Sequence, residues 1–413
     1  MKRVVVTGLG AVTPLGNDVK SFWDGLINGK NGIDFITHFD VGGFKHRLAA
    51  EVKGFDPLSF MDKNTARKTD IFVQYALSAA IEAMEDSGLE GNIKSDELGV
   101  YFGSGIGGFI TLSQEHEALL SGGPRKVSPH FISKMIGNIA AGNIAIKYGA
   151  TGPCICPVTA CASGTSSIGE AYRAIKHGYA KAIICGGSEA AITPLALAGF
   201  GNATALTDSA DRDAASLPFD KRRSGFVIGE GAGALILEEY EHALSRGANI
   251  YAEVCGYGST CDAYHVTAPS PQVSASSKMI SDAIKDAGEI DPSKIYINAH
   301  GTGTKLNDKT ETAAIKLAFG EERAKQIHIS STKSMTGHML GAAGAAEAIA
   351  AILTLKNGII PPTINLLEAD EECDLNYTPN TAVKADIELA LSSSLGFGGH
   401  NACLAFKNCK GEK

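Results

Sequence analysis

The sequence predicts an α/β protein built of duplicated layers, and three observations carry that prediction. Short β-branched runs alternate with longer alanine-rich stretches of helical period, as in folds that lay helices over buried strands. The two halves of the chain echo each other at a constant offset. Glycine supplies 48 of 413 residues, well above the usual ~7%. It falls in short clusters, so it reads as tight turns and close backbone approaches.

Strands are expected over 4–6, 99–102, 182–185 and 295–297, each ending at glycine or a small polar residue. Helices are expected over 72–87 and 310–318. Sliding the chain by 180 residues sets 161–178 against 341–358. Ala162, Gly164, Ala171, Lys176 and Gly178 then fall on Ala342, Gly344, Ala351, Lys356 and Gly358. Both stretches are small-residue-rich on most faces, which predicts two equivalent buried helices. The expected halves are 1–250 and 251–413, and no Pro/Ser-rich linker separates them.

A net charge of −8 argues against a general nucleic-acid binder. Nine scattered cysteines, with Met1-Lys2-Arg3 leading straight into a strand pattern, fit a reducing cytoplasm. The best membrane candidate, 348–355 between Glu347 and Lys356, is far short of the ~20 apolar residues a span needs.

Four segments carry chemistry. In Thr159-Ala-Cys161-Ala-Ser-Gly164 an apolar strand ends at Thr159-Ala160 and a cysteine enters a small-residue helix. The positive end of that helix is expected to favour thiolate, and small neighbours leave backbone N–H groups free for an oxyanion. A buried structural cysteine is the alternative at this segment alone. Asn298-Ala-His300-Gly-Thr-Gly-Thr304 places a histidine at a strand end, where α/β folds put reactive groups. Ser331-Thr-Lys333-Ser-Met-Thr-Gly-His338 places a second before a small-residue helix. Together they form a reactive set with Cys161. Phe397, in Gly396-Phe-Gly-Gly399, is either a mobile gate or part of a simple hairpin loop.

Other readings fail. Gly103-Ser-Gly105-Ile-Gly107-Gly108 has dinucleotide spacing, but no prompt second strand and acidic residue follow. Cys154-x-Cys156 lacks zinc spacing and a paired partner, so no metal is expected. A hydrolase with one histidine and one acid leaves the second histidine unexplained. Basic clusters at Lys63/Arg67/Lys68, Arg125/Lys126 and Lys221/Arg222/Arg223 read by default as solvated faces. On an acidic protein such patches also steer acidic partners.

With these motifs in order, the chain resembles the β-ketoacyl-acyl-carrier-protein synthases of the thiolase fold, most closely the synthase II type of bacterial fatty-acid synthesis. The resemblance also rests on Val4-Val-Val-Thr-Gly-Leu-Gly-Ala-Val-Thr-Pro-Leu-Gly16, on Pro218-Phe-Asp and on Gly229-Glu-Gly-Ala-Gly233. It implies two five-stranded mixed sheets around paired buried helices, a homodimer, and acyl carrier protein as partner. It implies that Cys161 accepts the acyl group, that His300 and His338 act on malonyl thioester, and that no cofactor is needed. Lys333 would be the supporting lysine, paired with Glu347 and near Asp308 and Glu311. Thr302 and Thr304 would contact pantetheine, and Ile106, Phe200 and Gly398 would contact substrate. Phe397 would be the gate, its N–H joining that of Cys161 in the oxyanion hole. Lys63, Arg67 and Lys68 become candidates for carrier docking. Lys305 departs from the family's common proline, which bears on the shape of the pantetheine loop, and Ser163 departs from its common threonine.

Overall fold

The computed structural model describes residues 1–409. Ten strands matter for the site: β1 Val4–Val12, β2 Leu98–Gly103, β3 Cys154–Ile155, β4 Ala182–Glu189, β5 Gly231–Glu239, β6 Ala252–Cys261, β7 Ile295–Asn298, β8 His328–Ser330, β9 Leu389–Gly396 and β10 His400–Lys407. Five helices pack on them: α1 Ile71–Ser87, α2 Ser163–Lys176, α3 Ser274–Ile284, α4 Lys305–Phe319 and α5 Ala343–Asn357. The strands expected over 4–6, 99–102, 182–185 and 295–297 and the helices expected over 72–87 and 310–318 are all present. α4 begins earlier than its apolar period indicates, because the polar first turn after Thr304 conceals the start.

The strands repeat one pattern twice. β1-β5-β4-β2-β3 runs antiparallel, antiparallel, parallel, parallel, and β6-β10-β9-β7-β8 does the same. Two separate five-stranded sheets were expected. Instead β1 and β6 pair antiparallel through Val4↔Val254, Val5↔Glu253 and Val6↔Ala252, which joins the halves into one ten-stranded sheet. Each of these strands would otherwise leave its N–H and C=O groups unpaired along a buried edge, so pairing satisfies both.

α2 and α5 lie between the halves, touch each other, and contact strands of both. Ile168, Ala171 and Ile175 meet Ala345, Ile349 and Ile352 in one core. α1 covers β1, β4 and β5 from outside, and α3 covers β6 and β10, which completes the layering.

Glycines set how closely the outer helices sit. A Cβ on Gly8 or Gly10 would come within 2.1 or 1.9 Å of the Ala83 or Ala79 carbonyl of α1. In the second half Gly256 and Gly258 meet the Ala283 and Met279 carbonyls of α3 at 1.8 and 1.9 Å. Gly10→Ala and Gly258→Ala should therefore each cost on the order of 3 kcal/mol by overpacking. Both should lower the thermal midpoint by similar amounts. An unchanged midpoint in either variant would mean that the helix does not rest on its strand.

Candidate active site

Cys161 lies in a single 3-10 turn, Ala160–Ala162, that feeds α2. Ala160 takes φ 50°, a left-handed conformation uncommon for a residue with a Cβ. Ser163 braces the bend: its hydroxyl donates to Ala160 O at 2.7 Å and accepts from Thr159 N at 2.9 Å. The strand expected to run into Thr159-Ala160 is confined to β3, since Pro157 has no N–H to offer a ladder. The echo at 180 residues recurs in the backbone. Leu340, matching Ala160, has φ 49°, and the turn Leu340–Ala342 feeds α5 with Gly341 in the place of Cys161.

Cys161 is partly buried and opens on a cavity of about 410 Å³. The backbone N–H groups of Phe397 and of Cys161 itself both act on its sulfur. Burial nonetheless pushes the thiol up to about 12, against the pull of Lys333 and those N–H groups. The expectation that the helix start yields a resting thiolate is thereby corrected: loss of water around the sulfur outweighs the local positive field.

His300 follows β7 and His338 precedes α5, and both side chains line the same cavity. Glu311 of α4 holds the first histidine's loop, accepting from His300 N and Gly301 N at 2.7 Å each, with Ser393 Oγ at 2.9 Å. The second is pinned by pairing: His338 N donates to Val227 O at 2.7 Å, and Gly229 N donates to His338 O at 2.8 Å. The rings are 5.3 Å apart at 86°, and Phe226 packs edge-on to His338 at 5.2 Å. Burial and the charge of Lys333 hold both imidazoles well below their ordinary range, so both are neutral near neutral pH. Each Nδ1 is buried without a hydrogen-bond partner.

Lys333 is itself buried and forms an ion pair with buried Glu347. Asp308 accepts from Phe219 N at 2.7 Å and Gly303 N at 3.2 Å, and burial pushes its carboxyl up to about 6. Thr302, Thr304, Phe200 and Phe397 line the cavity with Cys161 and the histidines. Ile106 and Gly398 do not: Ile106 is exposed on the loop after β2, and Gly398 sits in the chain between two residues that do, Phe397 and Gly399. Lys63, Arg67 and Lys68 are exposed on the short helix Lys63–Lys68. The cluster at 221–223 is a solvated face only in part: Lys221 and Arg222 are exposed and Arg223 is not. Arg223 is buried, faces Asp308 at 3.8 Å and pairs with Asp370, while Arg222 pairs with Asp220 at 2.8 Å.

Sequence reasoning missed several residues. Phe226, Asp262 and Asn401 line the cavity, and Asn401 Nδ2 donates to Asp262 Oδ1 at 2.7 Å. Glu189, fully buried at the end of β4, was passed over although a lone acid closing an apolar strand is a readable signal. Among the described residues no group of His, Cys, Asp and Glu is arranged to hold a metal ion.

A twice-repeated five-strand unit, with a thiol and two imidazoles converging on one cavity, is the arrangement of the thiolase-like condensing enzymes, a class of acyltransferases. The chain belongs to the β-ketoacyl synthase family. Residues 1–243 match the model of the beta-ketoacyl synthase N-terminal domain, and 251–367 that of the C-terminal domain. The 3-oxoacyl-[acyl-carrier-protein] synthase 2 of Synechocystis sp. is 52% identical over 408 residues, 98% of both chains. That of Staphylococcus aureus is 50% identical over 408 residues, again 98% of both. The ishigamide ketosynthase/chain length factor superposes with a TM-score of 0.93 at 37% identity, covering 99% of this chain and 100% of that one. A type II polyketide ketosynthase solved in complex with its acyl-carrier protein gives 0.89 at 37% identity with the same coverage.

The depressed imidazoles tie stability to pH. Below the ordinary value of 6.5 the unfolded chain takes up protons at His300 and His338 that the folded chain refuses. Their contribution to stability is whole above that pH. It is lost on acidification at about 1.4 kcal/mol per ring and pH unit, until the folded rings also protonate. Urea denaturation between about pH 7 and about pH 5 should show a steeper loss for the wild type than for His300→Gln/His338→Gln. Equal slopes would mean that the rings titrate normally.

Proposed function

We propose that this protein is a 3-oxoacyl-[acyl-carrier-protein] synthase that extends a Cys161-bound acyl chain by two carbons from malonyl carrier. The observation that carries the reading is the convergence of one thiol, two neutral imidazoles and two backbone N–H groups on a single cavity.

The thiol is protonated at rest, so acyl transfer needs a base, and a neutral imidazole in the cavity supplies one. Sulfur attacks the thioester carbonyl, the carrier thiolate leaves, and the thiol proton passes to it by way of the imidazole. The N–H groups of Cys161 and Phe397 stabilise the tetrahedral oxyanion, a donor of this kind being worth ~3–4 kcal/mol. Malonyl carrier then sets its thioester oxygen between His300 and His338. Carbon dioxide leaves, the electron pair becomes an enolate, and both imidazole N–H groups donate to its oxygen. The enolate carbon attacks the acyl-Cys161 carbonyl, the new carbon–carbon bond forms, the carbon–sulfur bond breaks, and the departing Cys161 thiolate takes a proton from solvent to restore the resting thiol. Decarboxylation generates the carbanion without a strong base. Lys333, held by Glu347, keeps the imidazoles neutral, and Asp308 and Glu311 fix the loop that carries His300 and Gly303.

Thr302 and Thr304 line the approach to the thiol, where they suit the amides of a pantetheine arm. Phe397, about one-third exposed in the hairpin loop between β9 and β10, suits a gate. Phe200 walls the acyl side of the cavity. Ile106 and Gly398 join only when their loops are covered or shifted. A homodimer fits the first: β3 is an edge strand with one partner, exposed Ile155 lies on it with exposed Val158 just beyond, and exposed Ile106 follows β2, the strand that β3 pairs with. The names of the relatives and the complexed polyketide ketosynthase support an acyl carrier protein as partner. Exposed Lys63, Arg67 and Lys68 suit an acidic carrier. In the same reading residues 1–250 form the half with the nucleophile and 251–413 the half with both histidines. Nine unpaired cysteines, and the lack of any helix long and apolar enough to cross a membrane among the described residues, support work in the cytoplasm.

One assay tests this: acyl carrier with and without labelled malonyl carrier, scoring carbon dioxide, free acid and 3-oxoacyl carrier. Cys161→Ala should abolish condensation and leave malonyl decarboxylation measurable. His300→Ala and His338→Ala should each slow decarboxylation by ~10²-fold or more. Full-rate 3-oxoacyl product from Cys161→Ala, or free acid released without malonyl carrier, would overturn the reading.

A further inference from the structure

The duplication leaves two helix starts of the same shape, and only one of them is open. At the first, Cys161 faces the cavity, and Gly396 closing β9 presses its backbone on the turn. A Cβ there would lie 2.6 Å from Thr159 O and 3.3 Å from Cys161 N. At the second, Gly341 takes the place of Cys161, and the residue closing the equivalent strand, β4, is Glu189. Its carboxylate fills the space. Oε2 accepts from Gly341 N at 3.0 Å and Gly105 N at 2.8 Å, and Oε1 from Ser104 Oγ at 2.9 Å and Ile106 N at 3.1 Å. Ser104 Oγ in turn accepts from Gly107 N at 3.0 Å, which closes the loop upon itself.

We infer that Glu189 is a positioning residue for the condensation. It occupies the duplicate of the oxyanion hole and locks the Ser104–Gly107 loop of one half to the turn that follows His338 in the other. The inference rests on the proposed reading of Cys161 and His338. Burial raises the Glu189 carboxyl, but four donors and no acceptor surround it, so its ionised form is the one that fits. Space admits no substitute in the clamp: a Cβ on Gly341 would lie 2.3 Å from Gly105 N and 2.8 Å from Glu189 Oε2. Glu189 does not line the cavity, so it acts through what it holds. It also acts through charge, because its negative charge opposes the thiolate of Cys161.

Glu189→Gln keeps the shape, removes the charge, and turns an N–H₂ toward one pair of N–H or O–H donors. Ser104→Ala deletes a single bond of the clamp and serves where Glu189→Gln proves insoluble. Two readouts separate positioning from mere structural support: the pH profile of Cys161 alkylation by iodoacetamide, and the kcat and KM of condensation. Glu189→Gln should move the alkylation midpoint to lower pH. It should cut kcat by about tenfold or more while KM for acyl carrier stays within about twofold. Ser104→Ala should cut kcat less, with KM again unmoved. A folded variant with unchanged profile and unchanged kcat would overturn the inference. So would a raised KM at unchanged kcat, which would make Glu189 a substrate-binding residue. The alkylation arm uses no substrate, so it reads Glu189 even where the condensation reading itself has failed in the wild type.

Discussion

The site depends on how closely two helix starts approach. At the crossing of α2 and α5 a Cβ on Gly164 would lie 2.9 Å from Ala345 N and from Gly341 O. One on Gly344 would lie 2.0 Å from Thr165 Oγ1. Only hydrogen fits at both positions, so the two backbones touch where their turns begin. The turn of α2 carries the thiol, and the turn of α5 follows His338 by two residues. His300 arrives from the end of β7, beside β9, whose last residue presses on the thiol turn. Three elements distant in sequence thus deliver their reactive atoms to one cavity because the helix crossing leaves no room for side chains.

Close packing of this kind expels water, and the electrostatics follow. Holding the thiol near 12 rather than 9.0 disfavours the resting thiolate by roughly 4 kcal/mol. The same dryness keeps both imidazoles neutral, which suits them to accept a proton in one step and to donate hydrogen bonds in the next. Each buried carboxylate near them has a task that offsets its desolvation. Glu311 binds the His300 loop through backbone N–H groups, Glu347 balances Lys333, and Glu189 closes the unused helix start. Lys333 is the cation to which both imidazoles and the thiol respond. It biases the imidazoles toward neutrality and the sulfur toward ionisation, both in the direction the chemistry needs.

Much of this was legible in the residues. The offset of 180 was a weak match of alanines and glycines, yet it located two turns whose left-handed residues, Ala160 and Leu340, agree within a degree. It was legible because a helix crossing demands small residues at fixed places. Cys161, His300 and His338 stood out because reactive residues sat beside glycines that a packed core does not need. What was not legible has physical causes as well. The seam between β1 and β6 depends on pairing between residues about 250 apart, which no local pattern encodes. The sign of the thiol shift needed the burial around Cys161, not the helix start alone. Glu189 looked like the end of a strand, and Arg223 like one of a solvated trio, because their partners Gly341, Asp308 and Asp370 lie far away in sequence. The position of Ile106 outside the cavity follows from a loop held by that same unrecognised carboxylate.

The central claim is that Cys161 holds the acyl chain while the imidazoles prepare the carbanion. Peptide mapping by mass spectrometry after acyl carrier is added alone tests it most directly. The account predicts near-stoichiometric acylation confined to the peptide with Cys161, stable until malonyl carrier is added and then discharged as 3-oxoacyl carrier. Acyl mass on another residue, or loss of the label as free acid at the same rate without malonyl carrier, would contradict it.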